Sequence, residues 1–141
     1  MAFNHTGSKL AWSDGKTICI QDPKGQKSSI FLEAAGRTQF MVWSPKDTYL
    51  ATREVLAVQD NGQKASNLKI WDVSSGQIKA SFFSRKSDGW QPRWSQDEEI
   101  VAVKTPNNEV AFYKGFMIYH TYFIFMLIVY NCIYNINLLQ L

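Results

Sequence analysis

The sequence predicts an all-β fold built from repeated antiparallel units, and three observations predict it. One segment occurs three times: Phe3-Asn4-His5-Thr6-Gly7-Ser8-Lys9-Leu10-Ala11-Trp12, Trp43-Ser44-Pro45-Lys46-Asp47-Thr48-Tyr49-Leu50-Ala51-Thr52 and Trp94-Ser95-Gln96-Asp97-Glu98-Glu99-Ile100-Val101-Ala102-Val103. The copies begin 40 and then 51 residues apart. Ile18/Ile20, Leu68/Ile70 and Val110/Phe112 alternate with more polar neighbours, the period of two that a strand with one buried face requires. Ser13-Asp14-Gly15-Lys16, Ser44-Pro45-Lys46-Asp47 and Ser74-Ser75-Gly76 supply turn chemistry between those strands. Strands joined by short turns, in units of about 40–50 residues, are the pattern of β-propeller blades. A β-sandwich would share the alternation; the internal repeat is what favours blades.

Taken in order, each copy opens with an aromatic and a small polar residue, turns, and re-enters a strand on a branched aliphatic and an alanine. A second strand follows the Ser13–Lys16 turn as Thr17-Ile18-Cys19-Ile20-Gln21-Asp22, with Pro23-Lys24-Gly25-Gln26 after it. It matches Asn67-Leu68-Lys69-Ile70-Trp71-Asp72 and the following Val73-Ser74-Ser75-Gly76-Gln77, with the first turn one residue shorter. A third, partial match is Glu109-Val110-Ala111-Phe112-Tyr113-Lys114, after which the chain stops resembling itself. Glu54 to Ala65, containing Asp60-Asn61-Gly62, is expected to extend a hairpin, which accounts for the longer second spacing.

At 141 residues the chain suffices for one modest domain. Its net charge of +3 permits acidic partners without demanding them, and its 45% apolar content excludes a disordered polyampholyte. Two cysteines, Cys19 and Cys132, make neither a disulfide framework nor a four-cysteine metal site. Every charged side chain lies between Lys9 and Lys114. Residues 1–114 are therefore expected to form partial propeller blades, about two to three of them, and 115–141 an uncharged apolar tail outside that fold. Met1 to Trp12 lacks the basic leader and apolar run of a secretory signal. The tail is long enough to span a membrane, but His120, Asn131, Asn135, Asn137 and Gln140 weaken that reading and no basic cluster orients it. Its Ile, Asn, Tyr, Phe and Leu bias is that of translated AT-rich non-coding sequence, so an intron-derived end is the expectation.

Leu68-Lys69-Ile70-Trp71-Asp72 followed, after Val73, by Ser74-Ser75-Gly76 resembles the third-strand ending of a WD40 blade, although no Gly-His dipeptide opens the repeat. A more specific resemblance runs through Asn67–Gly76 into Ser81-Phe82, then Trp90-Gln91-Pro92-Arg93-Trp94-Ser95-Gln96-Asp97-Glu98 and Asn107-Asn108-Glu109-Val110-Ala111-Phe112. With Trp43–Thr52, these segments resemble the N-terminal propeller of the eukaryotic translation initiation factor 2A family. The likeness extends from about Phe3 to about Lys114, roughly four-fifths of the chain. It implies a truncated, non-enzymatic, cytoplasmic initiation factor-like protein. By the same resemblance its partners are the small ribosomal subunit, initiator tRNA and mRNA, and its role is GTP-independent delivery of initiator methionyl-tRNA. It implies no cofactor, metal or small-molecule substrate. The alternative is a WD40-like protein-interaction scaffold, membrane-attached through residues 116–130.

Loop cations are the low-grade candidates for RNA or ribosome contact: Lys24 and Lys27 around one turn, Arg85 and Lys86 between Phe83 and Trp90. Each pair lies near an acid, Asp22 or Asp88, so a solvated loop is the competing reading. Trp12, Trp43, Trp71 and Trp94 occupy repeat or strand-end positions and are expected in the core rather than as base-stacking platforms, while Trp90 stands outside the repeat. Gly15-Lys16-Thr17 lacks the earlier glycine of a phosphate loop, because that position is Leu10, and fits a hairpin turn. His5, His120 and Cys19 have no partner at metal-ligand spacing. Asp97, Glu98 and Glu99 read as a solvated turn, and no arrangement of residues points to catalysis. Asn4-His5-Thr6 fits a glycosylation acceptor, a reading that lapses without a secretory signal.

Overall fold

A computed structural model describes residues 1–25, 28–55, 66–84 and 89–119. The described chain forms three four-stranded antiparallel sheets, each a blade. The first blade comprises β1 (Ala2–Phe3), β2 (Leu10–Ser13), β3 (Thr17–Gln21) and β4 (Ile30–Glu33). The second comprises β5 (Thr38–Trp43), β6 (Tyr49–Glu54), β7 (Leu68–Asp72) and β8 (Ile78–Phe82). The third comprises β9 (Arg93–Trp94), β10 (Ile100–Lys104), β11 (Val110–Lys114) and β12 (Met117–Tyr119). Strands pair with their sequence neighbours throughout, as expected of hairpin-connected blades.

The repeat survives as geometry. In the first turn Asn4 N donates to Lys9 O and Gly7 N to Asn4 O; Ser44/Tyr49 with Asp47/Ser44, and Ser95/Ile100 with Glu98/Ser95, repeat those two bonds at 2.9–3.1 Å. Gly7, Asp47 and Glu98 hold the same left-handed position, at φ 69°, 63° and 64°. Glycine meets that demand freely, whereas aspartate and glutamate accept it at some cost. The Ser44 and Ser95 hydroxyls accept from Tyr49 N and Ile100 N at 2.8 and 3.0 Å, and the Asn4 side-chain oxygen accepts from Lys9 N at 2.8 Å. One turn has been written three times with different side chains.

Because the second blade lies between the other two, both of its faces are covered. Leu50, Trp43, Trp71 and Val73 pack on Ala11, Ile18, Ile20 and Leu32 of the first blade. Ala51, Leu68 and Ile70, with Phe40, Val42 and Phe82, pack on Trp94, Val101, Val103 and Tyr113 of the third. Trp43 and Trp94, equivalent in the repeat, are 6% and 7% exposed, as blade packing requires. Trp43 Nε1 donates to Ala2 O at 3.1 Å and Trp71 Nε1 to Thr52 Oγ1 at 2.8 Å.

Two expectations need correction. Trp12 is not core but 37% exposed. It pairs in register with Cys19, which pairs with Phe31, on the face of the first blade turned away from the second. Cys19 is nevertheless buried, held between those two larger neighbours. The second correction is the boundary at Lys114. Gly115 and Phe116, at φ 55° and 64°, make a tight turn, and Met117–Tyr119 pairs back on Phe112–Lys114. The third blade thus runs to Tyr119, because a hairpin needs only local turn and strand chemistry and not a match to the earlier copies. Residues 120–141, with His120, Cys132 and most of the 116–130 segment, lie outside the described residues, as do residues 56–65 of the expected hairpin extension. Among the described residues no helix is long and apolar enough to cross a membrane.

Candidate functional site

The alternation of strand direction gives the blades two rims. The first rim carries the β1–β2, β5–β6 and β9–β10 turns, together with the β3–β4 and β7–β8 connections. The second carries the β2–β3 and β10–β11 turns and the crossings between blades.

On the first rim, each turn carboxylate at the left-handed position clasps the preceding blade. Asp47 accepts from Asn4 Nδ2, His5 N and His5 Nδ1, each at 2.9 Å. Thr6 N adds a longer contact at 3.4 Å. Glu98, its repeat equivalent, accepts from Lys46 N at 2.6 Å. Burial opposes ionisation of Asp47, but the His5 amide and ring and the Thr6 amide outweigh it and hold the carboxyl below its usual range. Asn4 is buried and its amide nitrogen is bonded to Asp47, so the Asn4-His5-Thr6 pattern is used for packing.

The same rim shows why short polar residues follow the third strands of the first two blades. Asp72 accepts from the Ser74 hydroxyl and from the amides of Ser75 and Ser74, which pull its pKa down to about 2. Asp22 receives the Lys24 amide at 2.9 Å in the matching turn. Between the second and third blades, an open cleft of about 510 Å³ is lined by Tyr49 of the second and by Asp97, Glu98, Glu99, Tyr113 and Phe116 of the third. Tyr49 and Phe116 meet edge to face at 5.2 Å. The Ser95 hydroxyl and the Glu99 amide lower the Asp97 pKa, while burial raises that of Tyr113. Each acid of the cleft is engaged: Asp97 by Ser95, Glu98 by Lys46, and Glu99 by Lys114 at 3.2 Å. Such acids shape turns; they are not poised for proton transfer.

The second rim holds the buried charges. Glu54 is 1% exposed; its Oε2 accepts from the amides of Ala35 and Gly36 at 2.8 and 3.1 Å, and Lys69 Nζ lies 2.8 Å from Oε1. One carboxylate therefore ties the crossing between two blades to a lysine on β7. The next residue back, Arg53, points to the opposite face, where Nε donates to Gln39 Oε1 at 3.1 Å and the guanidinium sits 5.2 Å from the Phe40 ring. Sequence reading passed over these side chains. The available signal was the pair of adjacent charges, Arg53-Glu54, closing a strand that alternation marks as buried.

Of the candidate RNA contacts, Lys24 is exposed on the first rim. Lys27, Arg85 and Lys86 lie outside the described residues. β3 ends and β4 begins at the first rim, whereas β8 ends and β9 begins at the second, so the structure does not bring the two connections to one rim. Among the described residues, no three His, Cys, Asp or Glu side chains gather as metal ligands.

No protein-family model matches the chain. Curated relatives do. Eukaryotic translation initiation factor 2A of Schizosaccharomyces pombe is 30% identical over 79% of the chain, and that of Caenorhabditis elegans 27% identical over 81%. The chain spans about a fifth of the length of these relatives (19% and 20%). Among solved structures, a eukaryotic initiation factor superposes with a TM-score of 0.70 at 29% identity, covering 80% of this chain and 28% of that one. The C-terminal WD40 domain of Sif2 superposes with a TM-score of 0.62 at 17% identity, covering 81% and 30%, a likeness of fold alone.

Proposed function

Over about four-fifths of its length the chain is eukaryotic translation initiation factor 2A-like, and from that premise we propose that it acts by binding, within the translation-initiation machinery. In this reading the blades are part of a factor that promotes GTP-independent binding of initiator methionyl-tRNA to the small ribosomal subunit on selected mRNAs. It is a cytoplasmic, non-enzymatic protein. The observation that carries the reading is similarity of sequence and fold over about four-fifths of the chain, at 30% identity to one relative and a TM-score of 0.70 to a solved initiation factor. Exposed cations on loops are the groups that meet RNA phosphates in such a protein, and Lys24, Lys27, Arg85 and Lys86 are the ones to test.

The test has two arms. The 141-residue chain is sedimented with purified small ribosomal subunits, with and without initiator methionyl-tRNA and without GTP. Co-sedimentation that weakens steeply with salt is expected, since phosphate contacts release counterions. Initiator tRNA retention is then compared with that of a full-length relative. The expected result is lower retention by the chain, because it spans about a fifth of its relatives. Absence of any subunit binding would defeat the reading.

A further inference from the structure

The two blade interfaces inside the chain are built the same way, and the repeat shows which residues build them. Trp43 and Leu50 of the second blade are equivalent to Trp94 and Val101 of the third. Each pair lies on the face that its blade turns towards the preceding one. Ala11, Ile18 and Ile20 of the first blade are equivalent to Ala51, Leu68 and Ile70 of the second. Each set lies on the face turned towards the following blade. A face of one kind therefore packs on a face of the other kind, and the chain does this twice.

Among the described residues, one face of each kind has no further blade stacked on it. On the first blade, Phe3 and Leu10 stand where Trp43 and Leu50 do, and Trp12 stands where Thr52 does. Phe3 is 58% exposed against 6% for Trp43, and Trp12 is 37% exposed against 0% for Thr52. Phe31, also exposed, extends that face beyond Cys19. On the third blade, Ala102, Val110 and Phe112 stand where Ala51, Leu68 and Ile70 do, half-buried where those three are buried. Apolar side chains at positions that are core in the middle blade are thus left in contact with solvent at both ends.

We propose that these two faces bind each other across copies of the chain: the third blade of one copy seats on the first blade of the next. The partner is a second copy because each open face matches the internal partner of the other. Ala102, Val110 and Phe112 offer what Ala51, Leu68 and Ile70 offer, and Phe3 and Leu10 offer what Trp94 and Val101 offer. The contact is therefore heterologous, head to tail, and not a face meeting itself. Burial of Phe3, Trp12 and Phe31 supplies the driving force. Gly7 stands where Asp47 and Glu98 reach back to the preceding blade, so that carboxylate clasp is missing between copies. Apolar packing alone holds the contact, and association depends on concentration. It does so whether or not the chain acts in translation.

The test is sedimentation velocity of the full 141-residue chain over a range of concentrations, with Trp12→Glu and Phe112→Glu as variants. The native chain should rise with concentration to at least twice the mass of one copy. Each variant alone should stay at the mass of one copy, because every head-to-tail contact needs one face of each kind. Mixed in equal amounts, the variants should form a species of two copies and nothing larger. Only the intact Phe112 face of one and the intact Trp12 face of the other remain to meet. Circular dichroism checks that each variant keeps the strand spectrum of the native chain, and Phe31→Glu or Val110→Glu replaces one that does not. A native chain that stays single at every concentration overturns the proposal, and cover of either face by residues 120–141 would give that result. Association that survives in either variant alone also overturns it, because the contact then runs through a face meeting itself or through another part of the chain. So does a mixture that forms no two-copy species.

Discussion

Replacing Trp43 by alanine tests whether the repeat is a repeat of packing. The indole is 6% exposed and lies in the interface between the first and second blades, among Ala11, Ile18, Leu32 and Leu50. Nε1 also holds the short β1 strand through Ala2 O at 3.1 Å. Truncating a buried tryptophan costs about 3–5 kcal/mol through lost transfer energy and the cavity left behind. The hydrogen bond accounts for about 1 kcal/mol of that, so Trp43→Phe, which keeps most of the volume, should cost about 0.5–1.5 kcal/mol. Trp94→Ala falls in the same range as Trp43→Ala, about 3–5 kcal/mol. It should sit towards the lower end, because Nε1 of Trp94 is buried with no partner to lose. Trp12→Ala, on the uncovered face, should cost less than about 1 kcal/mol. The measurement is urea unfolding of each variant followed by circular dichroism, with the slope checked for constancy. A loss under about 1 kcal/mol for Trp43→Ala, or equal losses at Trp12 and Trp43, would refute the reasoning.

Glu54→Gln should lower stability by about 3–5 kcal/mol, since Lys69 is left buried without its counter-charge; adding Lys69→Met should recover part of the loss, read by the same denaturation. Thr52→Val strands the buried Trp71 Nε1–H and should cost about 1–3 kcal/mol, whereas Thr52→Ser should cost less, the hydroxyl being kept. Acid should destabilise the fold. The folded pKa of Asp72, about 2, and that of Asp47 lie below the ordinary value of 3.8, so the unfolded chain takes up protons first. Their contribution is therefore complete above about pH 4 and is lost as pH falls through the folded values, with Asp72 releasing its share near pH 2. Asp72→Asn should flatten stability between pH 4 and 2; an unchanged slope would show that the Ser74–Ser75 turn does not hold the carboxylate.

Much of the fold is legible in the residues because its determinants are local. A turn such as Ser44-Pro45-Lys46-Asp47 specifies its own hydrogen bonds, and the alternation in Leu68–Asp72 specifies which side chains share a face. Matching three copies then makes the blade count readable. The candidate site was less legible. Lys24 could be placed on a turn from its neighbours, but which rim carries that turn depends on how the strands before it pair. The partners of Arg53 are not readable from its neighbours in sequence, because Gln39 and Phe40 reach it only across the β5–β6 pairing.

The sequence by itself determined the strands, the turns, the threefold repeat and the kinship that goes with them, all of which follow from short-range periodicity and side-chain chemistry. Tertiary structure decided what lies against what. Trp12 and Trp43 are both aromatics of an early strand, yet one is exposed and the other is core, because only Trp43 faces a neighbouring blade. Glu54 and Arg53 are adjacent, yet one finds two amides and a lysine while the other finds a glutamine and a ring. Burial and charge compensation are set by residues distant in sequence that meet only when sheets stack, so no local pattern can carry them.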